Sequence, residues 1–147
     1  MRVDVDNAGQ NEEAACVDHP RALDPQRKVW LRRLLPLRDR LIHVRWSGEA
    51  TWIPLGDLDL GTGYENHTSH PAPGEILIYA GDVSESEILL PYGACDFSSR
   101  VGQLAGNHFA TVVPAHGEGW EDVRERLREL GRRCLWEGAQ EIVIEAR

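Results

Sequence analysis

Residues 73–113 constrain the fold more than any other part of the chain, because they hold three short apolar runs separated by turn-forming pairs. Pro73-Gly74 makes a turn. Residues 75–80, EILIYA, form an apolar run bounded by glycines, too short for a helix and suited to a largely buried strand. Gly81-Asp82 turns the chain, and residues 85–90 return as a second strand, which Pro91 is expected to stop because proline cannot donate to a ladder. After a polar loop, residues 104–107 (Leu-Ala-Gly-Asn) connect tightly into a third β-rich run, residues 108–113. Three strands joined by turns predict a mainly antiparallel sheet.

The flanks add strands and two helices. Residues 1–6 alternate as a half-buried strand, Ala8-Gly9 supplies a turn, and residues 13–17 are a candidate partner strand. Asp24-Pro25 starts a helix, Asp as N-cap and Pro at the first helical position, running over 24–35 and ending at Pro36. Val29, Trp30, Leu34 and Leu37 fit its core face, and Arg27, Lys28, Arg32 and Arg33 a solvated basic face. Residues 40–46 alternate, with Ile42, Val44 and Trp46 on one side and Leu41, His43 and Arg45 on the other. Ser47-Gly48-Glu49 then turns the chain and residues 50–55 return, followed by a Gly- and Asp-rich loop over 56–63. Near the end, Trp120, Val123, Leu127, Leu130 and Cys134 recur at three- and four-residue spacing, one apolar stripe of a helix over 118–136. Gly138 follows as its C-terminal glycine, and residues 141–146 alternate as a final strand.

A chain of 147 residues makes one domain. With 41% apolar and 27% charged residues it reads as soluble and globular. Its 24 acidic residues against 16 basic ones give a formal charge of −8, which repels phosphate backbones and anionic headgroups and argues against nucleic acid or membrane partners. The absence of a long apolar run or signal peptide favours a cytoplasmic location. Cys16, Cys95 and Cys134 are odd in number, widely spaced and without a CxxC pair, so they predict neither disulfide framework nor zinc ribbon.

Several segments together resemble a known fold family. HTSHPAPGEILIYAG, SESEILLPYG and VGQLAGNHFATVV resemble, in order and spacing, the cyclophilin arrangement of a His-Thr-x-x-Gly loop and strand, a Ser-Gln-Phe-Phe strand and a Leu-Asp-Gly-Lys-His turn and strand. The likeness is closer to a bacterial cyclophilin-like group catalogued as a domain of unknown function. Its hallmark segments resemble His43-x-Arg45-Trp46-Ser47-Gly48-Glu49, Pro73-Gly74-Glu75, Glu85-x-Glu87-Ile88, Tyr92-Gly93 and Leu104-Ala105-Gly106-Asn107-His108-Phe109. The resemblance covers residues 34–113. It implies a closed antiparallel β-barrel flanked by two α-helices, with Arg45 at the position of the catalytic Arg and Glu87 at that of the substrate-binding Gln. His108 and Leu104 fall where cyclophilins have pocket His and Leu residues, and Leu89 where they have a second Phe. The departures are that Leu, the Gln-to-Glu change, and Thr51-Trp52-Ile53-Pro54 in place of the Phe-x-x-Gln run; they make the pocket more polar than a prolyl site.

Arg45, Glu87 and His108 are the candidate catalytic residues. Arg45 would position an anionic or carbonyl oxygen in two-pronged fashion. Glu85 and Glu87, two apart on one strand, could share a proton or serve as acid and base, or simply form a polar strand edge. His108 could carry a proton near neutral pH, or Asn107-His108 could merely close a turn. His43, Trp52, Tyr64, Asn66, Leu89, Leu104 and Asn107 are the candidate ligand-binding residues. His67 and His70 lie three apart beside Glu65 and Asn66, but in a proline-containing loop without a common face, so no metal site is expected. No phosphate loop, nucleophile elbow or cofactor motif is present, and no cofactor is expected. The composition and pocket suit a small polar molecule with an amide or carboxylate, against two alternatives: a peptidyl-prolyl isomerase acting on peptides, and a protein-interaction subunit, with homo-oligomer formation left open.

Overall fold

The coordinates, a computed structural model, describe residues 2–4, 14–18, 34–115 and 117–145. Eleven strands and one complete helix lie within them: β1 (Arg2–Asp4), β2 (Ala14–Asp18), β3 (Leu37–His43), β4 (Gly48–Gly56), β5 (His67–Thr68), β6 (Glu75–Tyr79), β7 (Ser86–Cys95), β8 (Ser98–Ser99), β9 (Gly102–Gln103), β10 (Gly106–Val113), α1 (Trp120–Trp136) and β11 (Gln140–Glu145). The helix expected over 24–35 lies outside the described residues except at its end, where Leu34 is helical.

Nine strands form one sheet in the order β2-β1-β11-β3-β4-β7-β6-β10-β5, and β2 also pairs with β10. The pairings are antiparallel except the two made by β1, which runs parallel to both β11 and β2. The partner strand expected after β1 is therefore present, paired in parallel register. β8 and β9 form a separate small hairpin.

Cross-strand register sorts the side chains onto two faces. Ile53, Ile78 and Ile88 align on β4, β6 and β7 and pack with Leu41, Leu90, Val112, Ile142 and Ile144 against Val123, Leu127 and Cys134 of α1. On the opposite, outer face Ile42 aligns with Trp52, Trp52 with Leu89, and Leu89 with Leu77. A second cluster covers part of this face, with Phe97 and Leu104 packed on Ala50, Leu77, Tyr79 and Leu89.

Three local expectations change. β7 does not stop at Pro91 but runs to Cys95; Pro91 is buried and pairs with Ala50 beside a register shift, where a missing donor is tolerated. The stripe of α1 buries Val123, Leu127 and Cys134, with Leu130 partly covered, but Trp120, the first helical residue, is 53% exposed. Asp122 accepts from the Gly119 amide at 2.7 Å, closing the helix start. At the other end Gly138, with φ of 94°, follows the last turn as the left-handed residue that favours glycine.

Candidate functional site

The alternation expected over 40–46 breaks at Val44. β3 ends at His43, and the segment 44–47 bends away because the Val44 amide donates to Ala50 O at 3.1 Å and Ser47 is anchored from outside the hairpin. The buried Ser47 donates from Oγ to Ser98 O at 3.0 Å, accepts there from the Ser98 amide at 3.0 Å, and offers its own carbonyl to the Asp96 amide at 3.0 Å. This anchoring ties the β3–β4 loop to the β8–β9 hairpin. Trp46, expected to share a strand face with Ile42 and Val44, is 57% exposed at the loop tip, and Arg45 no longer shares a strand face with His43.

Between these loops and the outer face of the sheet lies a cavity of about 430 Å³. Its floor comes from Ile42, Trp52, Leu89 and Glu87, aligned on the outer face as the register requires. Its walls are three loops: residues 44–47, residues 83–85 before β7, and residues 98–101 at the β8–β9 hairpin. Arg45 and Arg100 come from the first and third walls, Glu85 from the second.

Glu87 stands apart from the other carboxylates. It is 7% exposed, and among the described residues its carboxylate has no hydrogen-bond or ion-pair partner. Burial, with a smaller contribution from the charge of Glu85, raises its pKa from 4.5 to about 7. Arg45 and Arg100, both exposed lining residues, likewise form no salt bridge within the described residues, whereas Arg124, Arg126, Arg132 and Arg133 are all engaged with glutamates along α1. The cavity thus keeps a protonatable buried acid and two available guanidinium groups without letting them neutralise one another.

Of the sequence candidates, Arg45, Glu87, Trp52, Leu89 and His43 border this cavity. The imidazole of His43 is otherwise engaged: Nδ1 lies 2.7 Å from Val44 O and Nε2 2.7 Å from the Tyr92 hydroxyl, and the two rings meet edge-on. Since a carbonyl only accepts, Nδ1 carries the proton and Nε2 accepts from Tyr92 in the neutral form.

His108 does not join Arg45 and Glu87. A register shift between His108 and Ala110 turns both Phe109 and Ala110 towards the core, leaving His108 beside Thr111 on the outer side. Its Nε2 lies 2.8 Å from Thr111 Oγ1 and 3.0 Å from Ala110 O, and its strand is two places from β7, roughly 10 Å across the sheet. Leu104 is a buried core residue over Leu77 and Leu89. Asn107 is 3% exposed and holds the 63–65 loop, accepting from the Glu65 amide at 2.8 Å and donating to Gly63 O at 2.7 Å. Asn66 donates to His108 O at 2.6 Å and keeps a buried Oδ1 without a partner, while Tyr64 stacks at a tilt on His67. These residues pin the β5 region to β10 and lie outside the cavity. Arg100, the cavity residue that sequence reasoning missed, sits in a hairpin tip whose neighbours give no sign of what it faces. Among the described residues no group of three or more His, Cys, Asp or Glu is placed to hold a metal ion, and no helix is long and apolar enough to cross a membrane.

The family catalogued as a protein of unknown function, DUF3830, matches residues 9–145, and the chain belongs to it. No curated protein matches the sequence. A solved structure of McbB in complex with tryptophan is similar at a TM-score of 0.56 and 20% identity, covering 83% of this chain. The chain spans 37% of that protein, and the likeness is one of fold.

Proposed function

We propose that this member of the DUF3830 family binds a small polar ligand bearing a carboxylate or amide in the outer-face cavity, on a cyclophilin-like closed barrel. The observation that carries the reading is the pairing of opposites in one concavity: Glu87, buried and unpartnered, with Arg45 on the facing loop and no salt bridge between them. The Glu87 side chain is buried while its oxygens stay open to the cavity, and holding a largely desolvated carboxylate without a protein partner is costly. A ligand restores the missing partners. Arg45 receives the ligand's oxygens through two parallel N–H donors. Glu87, poised near neutrality, exchanges a proton with the ligand, and it is the candidate acid-base group if the bound molecule is turned over. Trp52 and Leu89 supply the apolar floor, and the volume falls within the range of small-molecule sites.

The barrel reading is supported by the pairing of β2 with both β1 and β10, which links the first strand of the order to the last but one, beside the two-residue β5. The test of function is a thermal-shift screen with amino acids, cyclic amides and carboxylates. At least one is expected to raise the melting temperature, with Arg45→Ala weakening its binding by about tenfold or more through the loss of two charge-assisted hydrogen bonds. A screen in which none binds, or in which Arg45→Ala binds as well as the parent, overturns the reading.

A further inference from the structure

The charges around the cavity are not mixed. Both carboxylates, Glu85 and Glu87, enter from the β6–β7 turn and the start of β7, whereas both guanidinium groups, Arg45 and Arg100, enter from the other two loops. Between the two signs lies the apolar floor of Trp52 and Leu89. A ligand carrying only a carboxylate would satisfy the arginines and leave Glu87 as it is. A ligand carrying only an amine would do the reverse. Resting on the binding site just described, we propose that the cavity selects a zwitterion, an α-amino acid whose carboxylate is held by Arg45 and Arg100 and whose ammonium group is received by Glu87.

An internal pair of Arg45 with Glu87 would neutralise both without any ligand, but the structure keeps them unpaired, Glu87 on the floor and Arg45 on a wall loop. The ammonium group supplies hydrogen-bond donors to an acid that has none among the described residues. The cavity is large enough for the bulkiest amino-acid side chain, which would lie on Trp52 and Leu89.

The pH dependence separates this ligand from a plain carboxylate. The groups around Glu87 are Glu85 before its own strand, Tyr79 opposite it on β6, Pro54 opposite it on β4, and His43, Arg45 and Arg100 from the rest of the cavity lining. Burial raises the Tyr79 hydroxyl above its ordinary range and Glu87 to about 7, while both His43 ring nitrogens are engaged by Val44 O and the Tyr92 hydroxyl. An ammonium group needs Glu87 ionised, so amino-acid affinity should fall as pH drops below about 7, by up to tenfold per unit. A carboxylate without an amine favours protonated Glu87 and should weaken as pH rises through the same value.

The experiment is isothermal titration calorimetry of the full chain with the common amino acids, each beside its desamino acid, for example L-phenylalanine beside 3-phenylpropionate, at pH 6 and pH 8. At pH 8 at least one amino acid is expected to bind about tenfold tighter than its desamino partner. Glu87→Gln should abolish that preference, weakening the amino acid and tightening the desamino acid at pH 8 by removing the ionised carboxylate, and Arg100→Ala should weaken both. Desamino acids that bind as tightly as the amino acids, with affinity falling as pH rises, overturn the zwitterion and leave the carboxylate site standing. If neither kind binds, both readings fall. Should Glu87→Gln not fold, the opposite pH slopes of the two ligand kinds on the parent protein decide alone.

Discussion

Glu87 is a buried carboxylate with a raised pKa, and its stability consequences can be measured without any ligand. Its pKa is raised from 4.5 to about 7 chiefly by burial, so folding favours the neutral acid. Below about pH 4.5 the group is protonated in both folded and unfolded chains and costs nothing. Between pH 4.5 and 7 the unfolded chain ionises first, and the folded state loses stability progressively, levelling off above pH 7 at on the order of 3 kcal/mol. Glu87→Gln is therefore expected to stabilise the protein at pH 8 and to change little at pH 4, read from urea denaturation at the two pH values. A variant equally or less stable at pH 8 would mean that the carboxylate is solvated or paired in solution. The same residue argues against proline isomerisation. A prolyl ring needs an apolar pocket, and here a titrating acid stands beside Leu89 and Trp52. A protease-coupled assay on Ala-Pro peptides is expected to show no turnover above background, and ordinary isomerase rates abolished by Arg45→Ala would reverse that conclusion.

At the scale of elements, the seating of α1 on the sheet depends on one glycine. A Cβ placed on Gly131 would fall within the ring of Tyr92, the same tyrosine whose hydroxyl meets His43. On an open helix face Gly→Ala stabilises by about 1 kcal/mol. Here the overpacking term wins, so Gly131→Ala should destabilise by roughly 1–3 kcal/mol in chemical denaturation. A stabilised variant would show that the helix can lift away from Tyr92. The helix itself was legible, because Val123, Leu127 and Cys134 keep a period that burial alone demands. Strands β6, β10 and β11 were legible for the same reason, with glycines and prolines marking their ends. What escaped the sequence depends on distant partners. The end of β3 is set by Ser47 bonding to residues 96–98, the passage of Pro91 through β7 by a register shift against β4, and the displacement of His108 by another against β6. Arg45 and Glu87 were found because their positions are local to recognisable segments, while the β8–β9 hairpin, with two residues in each strand, is too short to leave a periodic trace.

Across the whole molecule, the β2–β10 pairing decides what kind of sheet this is. An open sheet in this order would present two free edges, each a template for pairing with another chain. With β2 bonded to both β1 and β10, through Arg2↔Ala14 to Asp4↔Cys16 on one side and Thr111↔Asp18 to Val113↔Cys16 on the other, the first strand of the order also meets the last but one. These pairings make the amino-terminal strands structural, because β1 pairs with β11 and β2 with β10. Removing residues 1–18 takes away both strands and exposes those two edges at once. The truncated chain is expected to self-associate in size-exclusion chromatography and to lose amide-exchange protection at Thr111 and Val113, which face β2 in the intact chain. A truncated chain that remains monomeric, with the same protection along β10 and β11, would show that the sheet stands open and that β1 and β2 are appended to it.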